Sequence, residues 1–150
     1  WKKVFNVNLY LNIYIINFFL KFFRKNNKQN KIIIFSGGGA ASSFKEFPIY
    51  SASKTALVRT VENYSEIFSK INISIFAIAP GAVKTNMLKK VEKISKVGTR
   101  SKMIDVIDFV NKSLKINTKS FSGKLIHIKD NLLKISKNKN PNYLKLRRVE

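Results

Sequence analysis

Two short apolar runs constrain the fold of this chain most strongly. Residues 32–35 read IIIF and end at Ser36 and three glycines, and residues 72–79 read NISIFAIA and end at a Pro-Gly pair. Short runs that are mostly apolar and end at such turn residues are typical of strands that are buried on both faces. Between them, helical spacing of apolar and small residues predicts a helix over 50–68. Strand, helix and strand in this order predict a right-handed crossover and a parallel sheet.

The uncharged stretch at residues 4–20 predicts another helix. Four asparagines interrupt it: Asn6, Asn8, Asn12 and Asn17. Each would place an amide in hydrocarbon, and the stretch is at the short limit of about 17 to 25 residues for a membrane span. We therefore expect a helix that is buried on most sides by protein or by a partner subunit, with a membrane span as the alternative.

The rest of the chain completes one α/β domain. A basic loop is expected at 23–31, a mobile helix and loop at 86–102, a helix at 103–114, a strand at 124–128 and then a charged tail. The predicted organisation is a helix and loop (1–30), a catalytic core (31–85), a substrate-loop region with a helix (86–120), and a last strand with a basic tail (121–150).

Composition excludes several classes of protein. The absence of cysteine rules out disulfide scaffolds and cysteine nucleophiles, and it fits the reducing cytoplasm. The net charge of +21 would suggest a nucleic-acid partner, but lysine, isoleucine, asparagine and phenylalanine are all abundant and all have A/T-rich codons. Because the lysines are also spread along the chain, we attribute much of the charge to codon bias and expect neither a nucleic-acid nor a membrane partner. His127 lies in a predicted strand without other ligands, so we expect no metal site.

The sequence YSASK, Tyr50 to Lys54, is the pattern most indicative of chemistry. Residues four apart on a helix share one face, so the phenol and the ammonium should be neighbours. An ammonium stabilises a phenolate and lowers its pKa, which would let Tyr50 exchange a proton with an alcohol or carbonyl. A bare Y-x-x-x-K in any sequence is more often a pair on a helix surface, so the context decides.

That context resembles the short-chain dehydrogenase/reductase family. A buried strand, a serine-glycine loop, YSASK, a helix, a second buried strand and PGAVKT occur in the order and spacing of that family. The resemblance implies a doubly wound, Rossmann-type parallel sheet in three α/β/α layers, NAD or NADP as cofactor, and hydride transfer between the nicotinamide and a small alcohol or carbonyl substrate. It also implies a homodimer or homotetramer.

The resemblance further implies roles for individual residues. Tyr50 matches the catalytic acid/base, and Lys54 matches the lysine that lowers the pKa of that tyrosine and holds the cofactor ribose. Asn8 matches the asparagine that orders a proton-relay water. Four residues match the family segment that runs along the nicotinamide: Pro80, Gly81, Val83 and Thr85. For Asn8 a buried or capping amide, and for Pro80 and Gly81 a plain strand-ending turn, remain the structural alternatives.

The serine departs from the family pattern. The usual catalytic serine lies thirteen residues before the tyrosine, at the position of Gly37, whereas Ser36 lies fourteen before it. We expect a loop that is one residue longer and presents Ser36 to the substrate oxygen. Ser42 and Ser43 lie within the loop and are weaker candidates.

The glycine-rich turn that cradles the cofactor pyrophosphate is not found in the sequence. The chain is therefore expected to be the C-terminal part of such an enzyme, and the isolated fragment to be inactive. Two other classes remain open: a degenerate, non-catalytic interaction module, and a basic protein that associates with membranes or nucleic acid.

Overall fold

The computed structural model describes residues 1–23 and 29–137. Its helices are α1 (Lys2–Phe5), α2 (Leu11–Phe23), α3 (Pro48–Phe68), α4 (Asn86–Val91), α5 (Met103–Lys115) and α6 (Leu132–Lys137). Its strands are β1 (Asn30–Phe35), β2 (Ile73–Ala79), β3 (Ala82–Val83), β4 (Arg100–Ser101) and β5 (Leu125–His127). Most of the predicted basic loop, residues 24–28, and the tail after residue 137 lie outside the described residues.

The main sheet is parallel, as the two apolar runs predict. Its strand order is β1-β2-β5, with Phe35 opposite Ile78 and Ile78 opposite Ile126. Every residue of β2 is buried, because helices cover both faces of the sheet. On one face, Ile75 packs with side chains of α2 and α3, and on the other Phe76 packs with α5 and α6. The predicted three-layer α/β/α fold is confirmed.

The observed boundaries differ from the predicted ones in places that have a physical explanation. Strand β1 begins at Asn30, before the apolar run, because Asn30 and Lys31 pair with Ile73 and Ser74. The Lys31 ammonium also donates hydrogen bonds to the carbonyls of Leu114 (2.6 Å) and Ile116 (2.7 Å), at the carboxyl end of α5. This strand start therefore depends on contacts with distant segments, which no local pattern contains.

Three elements have no counterpart in the predictions. Strands β3 and β4 form a separate parallel pair, with Ala82 opposite Arg100 and Val83 opposite Ser101. Two residues are too few to produce an alternating pattern. Helix α6 lies in the segment that the sequence predicts to be a charged tail, and it is fixed by two buried side chains, Leu132 and Ile135.

Helical backbone runs from Lys2 to Phe23 and includes a π-helical turn at Asn6–Tyr10. Within this segment, which the structure describes in full, Ile16 alone is buried. Within this chain α3 and the sheet cover only one side of the helix, so the chain itself does not bury it on most sides, and burial by a partner subunit stays a prediction. The exposed large apolar side chains include Tyr14, Phe18 and Phe19. In the described part of the chain, no helix has both the length and the apolar character needed to cross a membrane.

Candidate active site

Tyr50 and Lys54 lie at the carboxyl edge of the main sheet, the edge at which parallel α/β sheets bind ligands. Both belong to the first turns of α3, which begins at Pro48. The Lys54 ammonium donates a hydrogen bond to the carbonyl of Phe35 (3.0 Å), the last residue of β1. It lies 5.9 Å from the centroid of the Tyr50 ring. The structure thus brings the predicted acid/base pair together and anchors it to a strand end.

Burial controls the ionisation of this pair. It raises the pKa of the Tyr50 phenol above its usual value of about 10.0, and it lowers the pKa of the Lys54 ammonium below 10.5. The predicted lowering of the Tyr50 pKa by Lys54 is therefore wrong for this structure. The ammonium donates to Phe35, and desolvation is the main influence on the phenol. At neutral pH the site accordingly holds a protonated phenol, which can donate a proton.

Gly37, and not Ser36, lies against the reactive end of Tyr50. A Cβ atom built on Gly37 would lie 2.6 Å from the Tyr50 hydroxyl oxygen. The amide of Ser36 donates to the carbonyl of Ile78 (2.8 Å), which extends the pairing of β1 with β2. The Ser36 hydroxyl is buried and has no hydrogen-bond partner within residues 1–23 and 29–137. Because successive residues of an extended chain point to opposite faces, Ser36 and Gly37 face apart.

The prediction that a longer loop presents Ser36 to a substrate is therefore wrong. The Ser36 hydroxyl is inaccessible, and the position thirteen residues before Tyr50 carries no side chain. Of the weaker candidates, Ser42 donates its hydroxyl hydrogen bond to the carbonyl of Gly38 (3.2 Å), within its own loop.

Asn8 lies in the π-helical turn and is linked to Tyr50 through Ser53. Its side-chain amide donates to the Ser53 hydroxyl (3.0 Å), which donates to the backbone carbonyl of Tyr50 (2.7 Å). π-Helical turns of this kind occur frequently at functional sites. Sequence reasoning missed Ser53, although a small polar residue three positions after Tyr50, inside the YSASK motif, was a usable signal. The predicted water relay from Asn8 to Lys54 stays a prediction.

The PGAVKT segment leaves the sheet at the same edge. Pro80 follows the end of β2, and Gly81 has a φ of 70°, a conformation that favours glycine. A Cβ atom on Gly81 would lie 2.8 Å from the Ser101 hydroxyl oxygen and 2.9 Å from the Thr99 carbonyl oxygen. Val83 ends β3. Thr85 is the N-cap of α4, and its hydroxyl accepts a hydrogen bond from the amide of Leu88 (3.2 Å).

His127 lies in β5 as predicted, and its Nδ1 accepts a hydrogen bond from the amide of Lys129 (3.2 Å). Its backbone amide donates to a carboxylate oxygen of Asp130 (2.8 Å). Among the residues that the structure describes, no three histidine, cysteine or acidic side chains are grouped closely enough to hold a metal ion.

The sequence model of one protein family, described as short chain dehydrogenase, matches residues 1–96. This stretch contains Asn8, Tyr50, Lys54 and Gly81, and it is more than half of the chain. The chain belongs to the short-chain dehydrogenase family. This membership agrees with the resemblance that the sequence motifs indicate.

Curated short-chain dehydrogenases similar to this chain include "Dehydrogenase/reductase SDR family member 4" of Rattus norvegicus. It is 24% identical over 123 residues, an alignment that covers 73% of this chain and 44% of the rat protein. The Sus scrofa protein of the same name is 29% identical over 86 residues, which covers 57% of this chain and 30% of the relative. The match thus spans less than half the length of these relatives.

Solved structures of dehydrogenases superpose well on this chain. A 4-hydroxyisoleucine dehydrogenase complexed with NADH has a TM-score of 0.70 at 21% identity, covering 84% of this chain and 56% of its own. A short chain dehydrogenase from Salmonella enterica serovar Typhi has a TM-score of 0.75 at 14% identity, covering 87% and 53%. One from Escherichia coli, complexed with NADPH, has a TM-score of 0.73 at 14% identity, covering 87% and 53%. At these identities the likeness concerns the fold.

Proposed function

We propose that this chain supplies the proton-transfer half of an NAD(P)-dependent oxidoreductase that interconverts an alcohol and a carbonyl compound. The observation that carries the proposal is the position of the partly buried Tyr50 phenol beside Lys54, at the carboxyl edge of a parallel sheet. Membership of the short-chain dehydrogenase family supports it. The NADH and NADPH in the structures of two neighbours support a nicotinamide cofactor.

The residues at this edge suit the nicotinamide end of such a cofactor. An ammonium has three donors, and Lys54 uses one of them on Phe35, which leaves others for ribose hydroxyls. Pro80, Gly81 and Val83 lead away from the same edge, where a backbone without side-chain bulk at Gly81 can lie close to a ring. When bound, the nicotinamide would give or take the hydride.

We further propose, as the sequence predicts, that the chain corresponds to the C-terminal part of such an enzyme. The alignment with the rat relative covers 44% of that protein. The glycines of the sequence do not have the spacing of the turn that binds a cofactor pyrophosphate. The adenosine end of the cofactor would then be held by residues outside this chain.

In the proposed reduction, Tyr50 donates its phenolic proton to the carbonyl oxygen as hydride reaches the carbonyl carbon. The raised pKa keeps the phenol protonated until the oxygen becomes basic. The nearby Lys54 ammonium then stabilises the phenolate, and proton uptake from solvent restores the phenol. Because Gly37 has no hydroxyl, this site would hold the substrate oxygen without the family serine.

The test uses two variants with different roles. Reduced nicotinamide mononucleotide, which contains only the nicotinamide end, is titrated into the protein by fluorescence. Saturable binding is expected, and Lys54→Ala should weaken it, whereas Lys70→Ala, at the amino end of β2, should not. In the longest naturally encoded polypeptide that contains this chain, Tyr50→Phe should lower turnover about 10²-fold or more. Absence of saturable binding, or unchanged turnover in Tyr50→Phe, would contradict the proposal.

The second candidate function is a non-catalytic interaction module derived from such an enzyme. The observation that favours it is the missing hydroxyl beside Tyr50, where Gly37 has no side chain and Ser36 is buried. This candidate predicts that the protein binds none of the reduced nucleotides, and that Tyr50→Phe leaves its biological role intact.

We also propose that the protein forms a homodimer or homotetramer through the apolar side of α2. Phe18 and Phe19 expose nearly half of their surfaces there, at 46% and 45%. Sedimentation equilibrium should detect the oligomer, and Phe18→Lys should shift it towards monomer. Ile67→Lys, which alters an exposed apolar side chain on α3, is the control. A wild-type protein that is monomeric at the same concentration would contradict this proposal.

A further inference from the structure

The segment between β3 and β4 leaves the fold and returns to it beside Gly81. Val83 and Ser101 pair at its two ends, and the amide of Ala82 donates to the carbonyl of Thr99 (2.8 Å). Gly81 itself follows the carboxyl end of β2 by two residues. Residues 84–100 are therefore attached at both ends to the sheet edge that carries Tyr50 and Lys54.

This segment is strongly basic and encloses a hollow. Residues 84–102 contain six lysines, one arginine and a single acidic residue, Glu92. The Glu92 carboxylate accepts from the Arg100 guanidinium at 2.7 Å, so an ion pair already offsets the one negative charge. An open hollow of about 510 Å³ lies here, lined by Lys93, Lys96 and Arg100.

The hollow also has an apolar component. Ile94 and Val97 contribute to its lining, and Ile94 exposes 64% of its surface. Lysine is abundant throughout the chain, so positive charge alone does not indicate a site. Here three cationic side chains, two apolar ones, Ser95 and the ion-paired Glu92 line one concave surface. Because the cations outnumber the single carboxylate, the surface carries a net positive charge, and a concave surface of this kind concentrates anions.

We propose that this hollow binds the anionic group of an amphiphilic substrate, an organic acid with an apolar body whose carbonyl or alcohol reacts at Tyr50. The inference rests on the proposed oxidoreductase function, because it assigns a substrate class to the same sheet edge. Lys93 and Lys96 pair with the anion, and Ile94 and Val97 contact the apolar chain. The Glu92–Arg100 ion pair keeps the acidic side chain from competing with the ligand.

Three small probes separate the charge from the apolar body: hexanoate, 1-hexanol and acetate. Each is titrated into the full chain, and amide chemical shifts of residues 92–100 are followed at constant ionic strength. Hexanoate should bind most tightly, because hexanol lacks the anion and acetate lacks the apolar body. Since a partly exposed ion pair contributes up to about fivefold, Lys93→Gln/Lys96→Gln should weaken hexanoate binding about five- to twentyfold. It should leave hexanol unchanged, and added salt should reduce the difference.

Lys70→Gln is the matched control, since Lys70 is exposed and lies at the amino end of β2, away from this edge. Equal affinity for hexanoate and hexanol would overturn the inference, as would an equal loss in Lys70→Gln and in the double variant. Absence of saturable shifts at residues 92–100 with hexanoate would overturn it too. The probes contain no nicotinamide, so failure of nucleotide binding would count against the proposed function and not against this anion site.

Discussion

Adding a single methyl group at Gly37 should move the Tyr50 hydroxyl and lower catalytic turnover. The Cβ atom of Gly37→Ala would lie 2.6 Å from that hydroxyl oxygen, so the oxygen must retreat by about 0.8 Å to reach 3.4 Å, the near limit of ordinary van der Waals contact. The Tyr50 ring cannot yield freely, because it packs edge-on against Phe44 and lies close to Gly39. Overpacking of this kind costs about 1 to 3 kcal/mol of unfolding free energy. A misplacement near 1 Å costs about 10²-fold in rate.

The control is one residue away. A Cβ atom on Gly38 meets no heavy atom of the described residues within 4 Å, so Gly38→Ala should leave stability unchanged or raise it slightly. Denaturant unfolding measures the unfolding free energy of both variants. Turnover is measured in the longest naturally encoded polypeptide that contains the chain. The steric argument also predicts coupling: in a Tyr50→Phe background the cost of Gly37→Ala should shrink. Equal stability of the two alanine variants, or an unchanged cost of Gly37→Ala without the hydroxyl, would refute the reasoning.

Three further predictions concern the same edge. Because burial raises the pKa of Tyr50, its phenol should ionise above pH 10.0, and Tyr50→Phe should remove absorbance change above that pH from an ultraviolet tyrosinate titration; loss of change below pH 10.0 instead would contradict this. Gly81→Ala combines a positive φ with contacts under 3.0 Å and should cost about 2 to 5 kcal/mol in denaturant unfolding, whereas Gly98→Ala should be nearly neutral. Asn8→Ala removes the hydrogen bond to Ser53 and should cost about 1 kcal/mol, less in a Ser53→Ala background; equal costs in both backgrounds would exclude this bond as the cause.

The parts of the fold that follow from local patterns were predictable from the sequence. The apolar runs at 32–35 and 72–79 gave β1 and β2, and the spacing of residues 50–68 gave α3, because burial on both faces or on one helical face leaves a readable pattern. Strands β3 and β4 were not predictable, since pairing of two residues depends on segments that meet only in the folded chain.

The candidate site was also predictable from the sequence only in part. The placement of Tyr50 beside Lys54 follows from a four-residue spacing on a helix, which the sequence contains. The direction of the Tyr50 pKa shift does not follow from spacing, because it depends on how much water the folded chain removes. The Ser36 assignment assumed that the loop would absorb one residue. Pairing of Ser36 with Ile78 prevents this by continuing the strand.

The π-helical turn at Asn6–Tyr10 makes this stretch sensitive to insertions and deletions in an unusual way. A helix with such a turn contains one residue more than a continuous α-helix over the same path. Deleting one residue there would restore regular helical hydrogen bonding and would leave the helix on either side on the same path, so the change in side-chain direction would fall on the turn itself, which carries Asn8. Asn8 would then lose its alignment with Ser53. A shorter, more regular helix would thus be gained only by giving up the contact that joins it to the helix of Tyr50.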